Sequence, residues 1–257
     1  MLPNRAIIYA SGNSISNGIK LGLSNYLEHE VVFGINDNIQ FIWPTAAMFG
    51  DWTAYASRFD LYKQHPLVIG RYDTHFTHQI EGSIPCPKQD NLILLPGSGK
   101  YNGAEGLSKG LYSAVLTGAF ALSLAIRLGF HQIFLLGFDN KEINGKTHFY
   151  QDVPNAGQYT DYEGNPTTGV GKDEHGNFRT SFYNHSDDSI NDLWKPFEVE
   201  EAMIYNVSLS SRISTFFKIG YCSMFKILKE NPILIKQEDI QHEIRKILEP
   251  YNKLNEN

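Results

Sequence analysis

Cysteine is scarce in this chain of 257 residues, which has only Cys86 and Cys222, far apart in the sequence. Two distant cysteines cannot form the disulfide framework of a small secreted domain, and they fit a reducing compartment better. Unbroken apolar runs are short, since none approaches the roughly 20 residues that span a bilayer. The N-terminus lacks the charged region, apolar stretch and cleavage site of a signal peptide. We therefore expect a soluble, cytoplasmic protein.

Positive charge is also in short supply. The chain has 22 lysines and arginines against 28 aspartates and glutamates, which gives a net charge of −6 at pH 7. Proteins that bind nucleic acid neutralise its phosphates with basic residues, so this balance argues against a nucleic-acid partner. The stretch 97–110 is rich in Gly, Ser and Lys but lacks the Gly-Lys-Ser/Thr ending of a phosphate-binding loop. We expect an ordinary loop there.

The middle of the chain, from Ser113 to Asn140, has the clearest structural pattern. Its first part has apolar residues at helical spacing and ends at Gly129, where a helix C-terminus favours a residue that tolerates positive φ. Its second part, Gln132–Leu136, is a short apolar run typical of a strand that is buried on both faces. Asp139 follows that strand. A helix that leads into a buried strand is half of a βαβ unit.

The order of strand, polar cluster and helix recurs along the chain. It predicts an α/β fold with a doubly wound, mostly parallel sheet. We expect one helix after Ser14 that includes Ile19, Leu21 and Leu27, the start of a helix within Ser208–Ile219, and an amphipathic helix near the C-terminus. The other strands are expected at residues 6–10, 31–35, up to Phe49, 67–70, 91–95 and 202–207.

Residues 151–184 differ in composition from the rest of the chain. Gly, Asn, Asp, Thr and Tyr dominate, and aliphatic residues are nearly absent, so this segment cannot build a core of its own. A polar loop of this length within a domain is usually functional, and we expect a lid or insertion. The sequences Glu163-Gly164-Asn165 and Glu174-His175-Gly176-Asn177 are both typical of turns, as in a small hairpin. Residues 1–150 and 185–257 would then form one domain with C-terminal helices.

An aromatic cluster precedes the C-terminal helix. Core or dimer packing is its simpler interpretation, and contact with a membrane surface is the alternative. The cluster consists of Phe216, Phe217, Tyr221, Met224 and Phe225, with Lys218 and Lys226 between them.

Polar residues follow most of the predicted strands. The carboxyl ends of parallel strands share one edge of a sheet, and ligands bind at that edge. A turn of small residues before a helix N-terminus suits an anion such as phosphate, although Ser-Gly-Asn-Ser at 11–14 is also an ordinary turn and N-cap. We expect this edge to carry Gly12, Asn13, Ser14, Asn36, Asp51, Thr117, Gly118 and Asp139.

Among the nine histidines, His185 has the sequence neighbours best suited to a catalytic role. It follows Asn184 and precedes Ser186 and two aspartates, which could orient the imidazole. A histidine with an ordinary pKa near 6.5 is a natural general base for a hydroxyl nucleophile. The alternative is a histidine on a surface loop.

Five of these motifs resemble, in the same order, those of the bacterial family 42 sialyltransferases and the related motility-accessory glycosyltransferase-like proteins. The wider group includes the archaeal 6-hydroxymethylpterin diphosphokinases. The resemblance covers most of residues 6–215. It rests on Ile7–Ser14, Gly34-Ile35-Asn36, Phe49-Gly50-Asp51, Leu116–Asp139 and Tyr183–Ser186.

The resemblance implies a Rossmann-like, sialyltransferase-type nucleotide-binding fold and a glycosyltransferase that needs no metal ion or other cofactor. It implies that Asn13, Asn36 and Thr117 contact the donor nucleotide, and that His185 deprotonates the acceptor hydroxyl. It places Tyr150 near the leaving phosphate. The expected partners are a nucleotide-sugar donor of the CMP-sugar type, a glycan or small-molecule acceptor, and further copies of the chain.

The sequence departs from the sialyltransferases at two positions. They carry an arginine shortly before the residue that corresponds to Thr117, where this chain has Ser113 and Ala114. Asp51 stands where they have an asparagine. Both changes disfavour an anionic sugar such as sialic acid, but they leave transfer of another sugar open.

Two other functions fit the sequence. One is a magnesium-dependent pyrophosphokinase of the pterin diphosphokinase type, with metal ligands among Asp51, Asp139, Asp187 and Asp188. The other is a nucleotide-binding protein without catalytic activity.

Overall fold

A computed structural model of the chain describes residues 1–50, 54–55, 58–72, 90–113, 116–146, 148–150, 159–160, 166–167 and 186–253. The strands are β1 Arg5–Tyr9, β2 Val32–Ile35, β3 Ala46–Phe49, β4 Val68–Tyr72, β5 Leu92–Ser98, β6 Leu111–Tyr112, β7 Gln132–Leu136, β8 Tyr159–Thr160, β9 Pro166–Thr167, β10 Met203–Asn206 and β11 Phe217–Lys218. The α-helices are α1 Ile15–Lys20, α2 Ser24–Leu27, α3 Phe59–Gln64, α4 Gly106–Lys109, α5 Thr117–Arg127, α6 Asp187–Trp194, α7 Tyr221–Glu230 and α8 Gln237–Leu248. Short 3-10 helices occupy Asn36–Gln40, Gly103–Glu105, Lys195–Val199 and Glu249–Tyr251.

Nine strands form one sheet in the order β11-β10-β7-β1-β2-β3-β4-β5-β6. Every neighbouring pair in this sheet is parallel. From β1 the chain adds strands in one direction as far as β6, then returns to place β7 on the other side of β1. The predicted doubly wound, Rossmann-like α/β fold is confirmed, and its strand order reverses between β1 and β7.

Helices cover both faces of the sheet. Alternate residues of each central strand point to opposite sides, so each strand contributes to the core on both faces. In β1, Ala6 and Ile8 belong to the core beneath α5 and α8, while Ile7 and Tyr9 belong to the core beneath α1 and α7. All five residues of β1 are buried. Burial on both faces explains why the central strands are apolar runs rather than alternating patterns.

The central helix and the strand after it agree with the prediction. Helix α5 buries nearly its whole length, and Gly129 just after it has a φ of +87°. Strand β7 has the predicted bounds. The helix begins at Thr117, and this start lies against the end of β3, as described below.

Two helix predictions are wrong. The helix expected from Ser14 to Leu27 is two short helices, because the chain turns at Gly22, which has a φ of +82°. No helix lies within Ser208–Ile219, all of which the structure describes; a loop and the two-residue edge strand β11 occupy it. Asn206 and Ser211 hold this loop, since both side chains donate to the carbonyl oxygen of Phe138, at 3.2 Å and 2.7 Å.

The aromatic cluster is mainly core. Phe216, Tyr221, Met224 and Phe225 are buried against the sheet, whereas 76% of Phe217 is exposed. Core packing is therefore the correct interpretation for the four buried members.

The predicted lid, residues 151–184, lies almost wholly outside the described residues. Its described part is an antiparallel pair of strands, β8 and β9, on either side of Glu163-Gly164-Asn165. This pairing agrees with the small hairpin expected there. Within the described part of the chain, no helix is long and apolar enough to cross a bilayer.

The last helices are attached to the amino ends of the central strands. A buried ion pair joins Arg5, at the start of β1, to Glu30, just before β2, and Arg5 also donates to the Asn231 carbonyl at 2.8 Å. Gln237, at the start of α8, donates to the Glu30 carbonyl at 2.8 Å. Asn252 accepts a hydrogen bond of 2.9 Å from the Leu94 amide in β5. These contacts attach the C-terminal residues to the amino edge of the sheet.

Truncation of Glu30 tests this attachment. Glu30→Ala leaves the buried Arg5 guanidinium with the Asn231 carbonyl as its one remaining acceptor among the described residues, and we expect the free energy of unfolding to fall by about 3 kcal/mol or more. Glu105→Ala is the matched control, because Glu105 pairs with Lys109 on the exposed surface and such a pair contributes about 0.5 kcal/mol. Urea unfolding of both variants gives the comparison. Equal losses would show that the Arg5–Glu30 pair contributes no more than a surface pair.

Candidate functional site

The candidate site lies at the carboxyl edge of the sheet, around the point where the strand order reverses. In open α/β sheets this crevice is where ligands bind, because the loops on its two sides diverge to opposite faces. Here the loops after β1 and β7 flank the crevice, and the loops after β2 and β3 lie beside them.

The loops after β1 and β7 are in direct backbone contact. The Gly12 amide donates to the Gly137 carbonyl at 3.0 Å. A Cβ on Gly12 would overlap that carbonyl oxygen and lie 2.6 Å from Oδ2 of Asp139. Gly137 has a φ of +73°, and a Cβ on it would lie 2.8 Å from the Ala10 carbonyl oxygen. Only glycine fits at these two positions.

Asp139 binds the start of α1. Its Oδ2 accepts a hydrogen bond of 2.8 Å from the Ser14 amide, and the side chain is buried. The Ser14 amide is one of the donors that the sequence predicts for an anion, so an anion at this turn would have to share or displace a carboxylate. The second oxygen, Oδ1, is buried and has no hydrogen-bond partner within the described part of the chain.

Asn13 also joins the two loops. Its Nδ2 donates to the Ile143 carbonyl at 2.8 Å, and its Oδ1 accepts from the Ser16 hydroxyl at 3.0 Å. Both ends of the side-chain amide therefore have protein partners. The bond to the Ile143 carbonyl holds the turn after β7 against the start of α1.

A second group of predicted residues meets above β2, β3 and α5. Asn36 has a φ of +51°, and its Oδ1 lies 3.4 Å from the Gly50 amide. A Cβ on Gly50 would overlap the Thr117 hydroxyl, so glycine allows the start of α5 to approach the end of β3. Gly118 allows a similar approach, since its Cβ would lie 2.7 Å from the Phe138 ring.

The structure thus brings the predicted residues together in two adjacent groups. Gly12, Asn13, Ser14 and Asp139 lie over β1 and β7, and Asn36, Thr117 and Gly118 lie over β2 and β3. Asp51 and His185 lie outside the described residues, so their predicted roles stay predictions.

The described residue next to His185 is Ser186. Its hydroxyl caps α6 by accepting from the Ser189 amide at 3.2 Å. Asp187 forms an ion pair of 2.5 Å with Arg212, and the Arg212 amide donates to the Asp139 carbonyl at 3.0 Å. The first turn of α6 is therefore linked, through Arg212, to the loop after β7.

Tyr150 is buried and lies beside an aspartate that the sequence analysis did not single out. Its ring stacks on Phe41 with centroids 5.0 Å apart, and its hydroxyl lies 3.5 Å from Oδ2 of Asp37. The other oxygen of Asp37 lies 3.2 Å from Nε of Arg58, in a nearly buried ion pair.

His148 is the second residue that the sequence analysis missed. Its ring centroid lies 5.3 Å from that of Tyr150. Burial lowers the pKa of His148, and the negative charge of Asp37 partly offsets this effect. The imidazole is therefore mainly neutral near pH 7 and can accept a proton. A signal for it was present, because His148 and Tyr150 both follow the buried strand β7 at its carboxyl edge.

The residues suited to a metal ion are dispersed. Within the described ranges, no three or more His, Cys, Asp or Glu side chains form a group that could hold a metal ion. Of the aspartates proposed as magnesium ligands, Asp139 binds the Ser14 amide and Asp187 binds Arg212.

Comparison with known proteins gives no family assignment. No protein-family model matches the sequence, and no curated protein matches it significantly. The functional argument therefore depends on the residues themselves.

Replacement of Gly12 tests the contact between the two loops. In Gly12→Ala the new methyl group meets backbone atoms that cannot move aside, and we expect a loss of about 3 kcal/mol in the free energy of unfolding. Gly99→Ala is the control, since a Cβ there meets nothing within 4 Å, and its effect should stay within about 0.5 kcal/mol. Urea unfolding measures both. A Gly12→Ala protein as stable as Gly99→Ala would mean that the loops separate readily.

Proposed function

We propose that this chain is a glycosyltransferase that moves a sugar from a nucleotide-sugar donor, of the CMP-sugar type, to a hydroxyl acceptor without a metal ion. One observation carries the proposal. The described parts of the loops after β1, β2, β3 and β7, whose motifs resemble those of the sialyltransferases, meet at the carboxyl edge of one parallel sheet, on both sides of the point where its strand order reverses. That is the expected position for a nucleotide in a doubly wound fold.

The start of α5 is a better position for a phosphate than the turn before α1. Helix α5 has 11 residues, and an N-terminus of that kind favours an anion through its amides and its dipole. At the start of α1, by contrast, Asp139 already accepts from the Ser14 amide. We therefore assign the donor phosphate to Thr117 and Gly118.

Asp139 suits a different part of the donor. Its Oδ1 is a hydrogen-bond acceptor without a partner in the described part of the chain, and a carboxylate attracts hydroxyl groups and repels phosphates. We assign it to a hydroxyl group of the ribose or of the transferred sugar. The buried carboxylate of Asp37 adds negative charge at the same edge, although Arg58 partly neutralises it. This charge favours a neutral sugar over an anionic one.

The proposed reaction is a single displacement. His185 removes the proton from the acceptor hydroxyl as its oxygen forms a bond to the anomeric carbon. The bond from that carbon to the phosphate oxygen breaks, and the nucleotide leaves with the electron pair. Hydrogen-bond donors at the start of α5 stabilise the charge that develops on the phosphate.

Tyr150 contacts Asp37 and Phe41 in the structure. Its hydroxyl lies 3.5 Å from Oδ2 of Asp37, and its ring is packed against Phe41. We propose that Tyr150 and Asp37 orient His148, which is the alternative proton acceptor of the site.

The donor class is tested by thermal denaturation with nucleotides and nucleotide sugars, each with magnesium and with EDTA. A ligand that binds only the folded state raises the melting temperature, and ligand at about 100 times its Kd contributes about 2.7 kcal/mol. We expect stabilisation by a cytidine nucleotide that EDTA does not change. Stabilisation by ATP that requires magnesium would contradict the proposal and indicate diphosphoryl transfer.

The general base is tested by replacing His185 and His148 separately. We expect His185→Ala to lower kcat by about 10² to 10⁴ while nucleotide affinity stays within a few-fold, because a general base acts on the transition state. His242→Ala, on the exposed side of α8, is the control and should keep full activity. A loss of kcat in His148→Gln, with full activity in His185→Ala, would assign the base to His148 instead. Turnover of the donor found above provides the assay.

A further inference from the structure

Exposed apolar side chains and lysines occur together on one side of the molecule, on the layer that α1 and α7 form over the sheet. Among the large apolar residues, 48% of Ile19, 51% of Leu21, 69% of Leu209 and 76% of Phe217 is exposed. Single exposed apolar residues are common, but a group of them on one side of a protein indicates a binding surface. We define the α1–α7 face as Ile19, Lys20, Leu21, Leu209, Phe217 and Lys226.

Contacts within this layer bring the residues together. Gly18 lies against the ring of Tyr221, since a Cβ on Gly18 would be 2.5 Å from Cε1 of that ring. The end of α1, which includes Ile19 and Lys20, therefore lies beside the ring of the first residue of α7. Leu209 also lies near the start of α7, because its Cδ1 would be 3.8 Å from a Cβ on Gly220, the residue before that helix.

Phe217 lies on the same side of the sheet. It pairs with Tyr205 across β11 and β10, and paired residues point to the same face. Tyr205 stacks on Phe134, which belongs to the core beneath α1 and α7. The aromatic ring of Phe217 therefore projects beside α7, where no helix of the described chain covers it.

The charge of this face is opposite to that of the whole chain. Lys20 and Lys226 are exposed on α1 and α7, and Lys229 lies over the ring of Tyr26 at 5.5 Å. Among the described residues of these helices and the segment after α2, Glu28 and Glu230 are exposed carboxylates, and Glu230 is 3.9 Å from Lys226. A face with excess lysine on a protein of net charge −6 is complementary to an anionic surface.

We propose that the α1–α7 face binds the surface of an anionic lipid bilayer. Apolar side chains that enter the headgroup region and lysines that attract anionic lipids are the two contributions by which proteins bind such surfaces. The aliphatic and aromatic side chains supply the first, and Lys20 and Lys226 supply the second. This inference does not depend on the proposed function. It would place the carboxyl edge of the sheet close to the membrane, because α1 and α7 both begin at that edge.

Binding to vesicles tests the proposal. The full chain is mixed with vesicles of phosphatidylcholine alone or with phosphatidylglycerol added, and the bound fraction is measured by sedimentation. We expect binding to the anionic vesicles that weakens as salt is raised, because the attraction of lysines to anionic lipids is screened. The double variants Leu209→Ser/Phe217→Ser and Lys20→Gln/Lys226→Gln should each lower the partition coefficient at least about tenfold.

Leu234→Ser is the matched control. Leu234 is 89% exposed, but it lies near Arg5 and Gln132 at the amino edge of the sheet, away from the α1–α7 face. This variant should bind vesicles as the wild type does, and circular dichroism should show the same folded state for all variants. Equal binding to both kinds of vesicle, or unchanged binding in both double variants, would overturn the proposal. A wild-type dimer that Phe217→Ser converts to a monomer would overturn it as well, since the face would then bind a second copy.

Discussion

The contact between the loops after β1 and β7 is the constraint on which the candidate site depends. Gly12 and Gly137 let the two backbones touch, and Asp139 then reaches the start of α1 from the neighbouring loop. A parallel sheet with helices on both faces would normally leave an open crevice where its strand order reverses. Here the contacts among Gly12, Gly137 and Asp139 occupy part of that crevice, which favours the side of Asn36 and Thr117 for the phosphate of a ligand.

The elements that sequence analysis predicts best are those that local pattern determines. Strand β7 and helix α5 combine a buried apolar run, helical spacing and a glycine at positive φ, and each of these signals is local. The wrong helix at Ser208–Ile219 has a long-range cause. Its loop is held by hydrogen bonds to Phe138, some 70 residues earlier in the chain, which no local pattern contains.

The same distinction applies to the candidate site. The positions of Gly12, Asn36 and Thr117 at one edge follow from a parallel sheet, which the recurring pattern predicts. What each side chain contacts does not follow from it. Asp139 looks like a ligand-binding residue in the sequence, yet one oxygen of its carboxylate serves the protein's own helix. The cluster around Asp37 joins three segments of the chain. The position of His148 after β7 indicates the carboxyl edge, but no local pattern shows that His148 lies near Asp37.

The attachment of the C-terminal residues has a consequence for synthesis of the protein. Strand β1 is made more than 120 residues before its neighbour β7, and Gln237 and Asn252, which bind the amino edge of the sheet, are made later still. Non-local pairings of this kind form slowly, and strands that wait for partners expose apolar surface. A nascent chain therefore cannot pair β1 with β7, or bind the amino edge of the sheet through Gln237 and Asn252, until those residues have left the ribosome. Until then it should depend on chaperones to remain unaggregated.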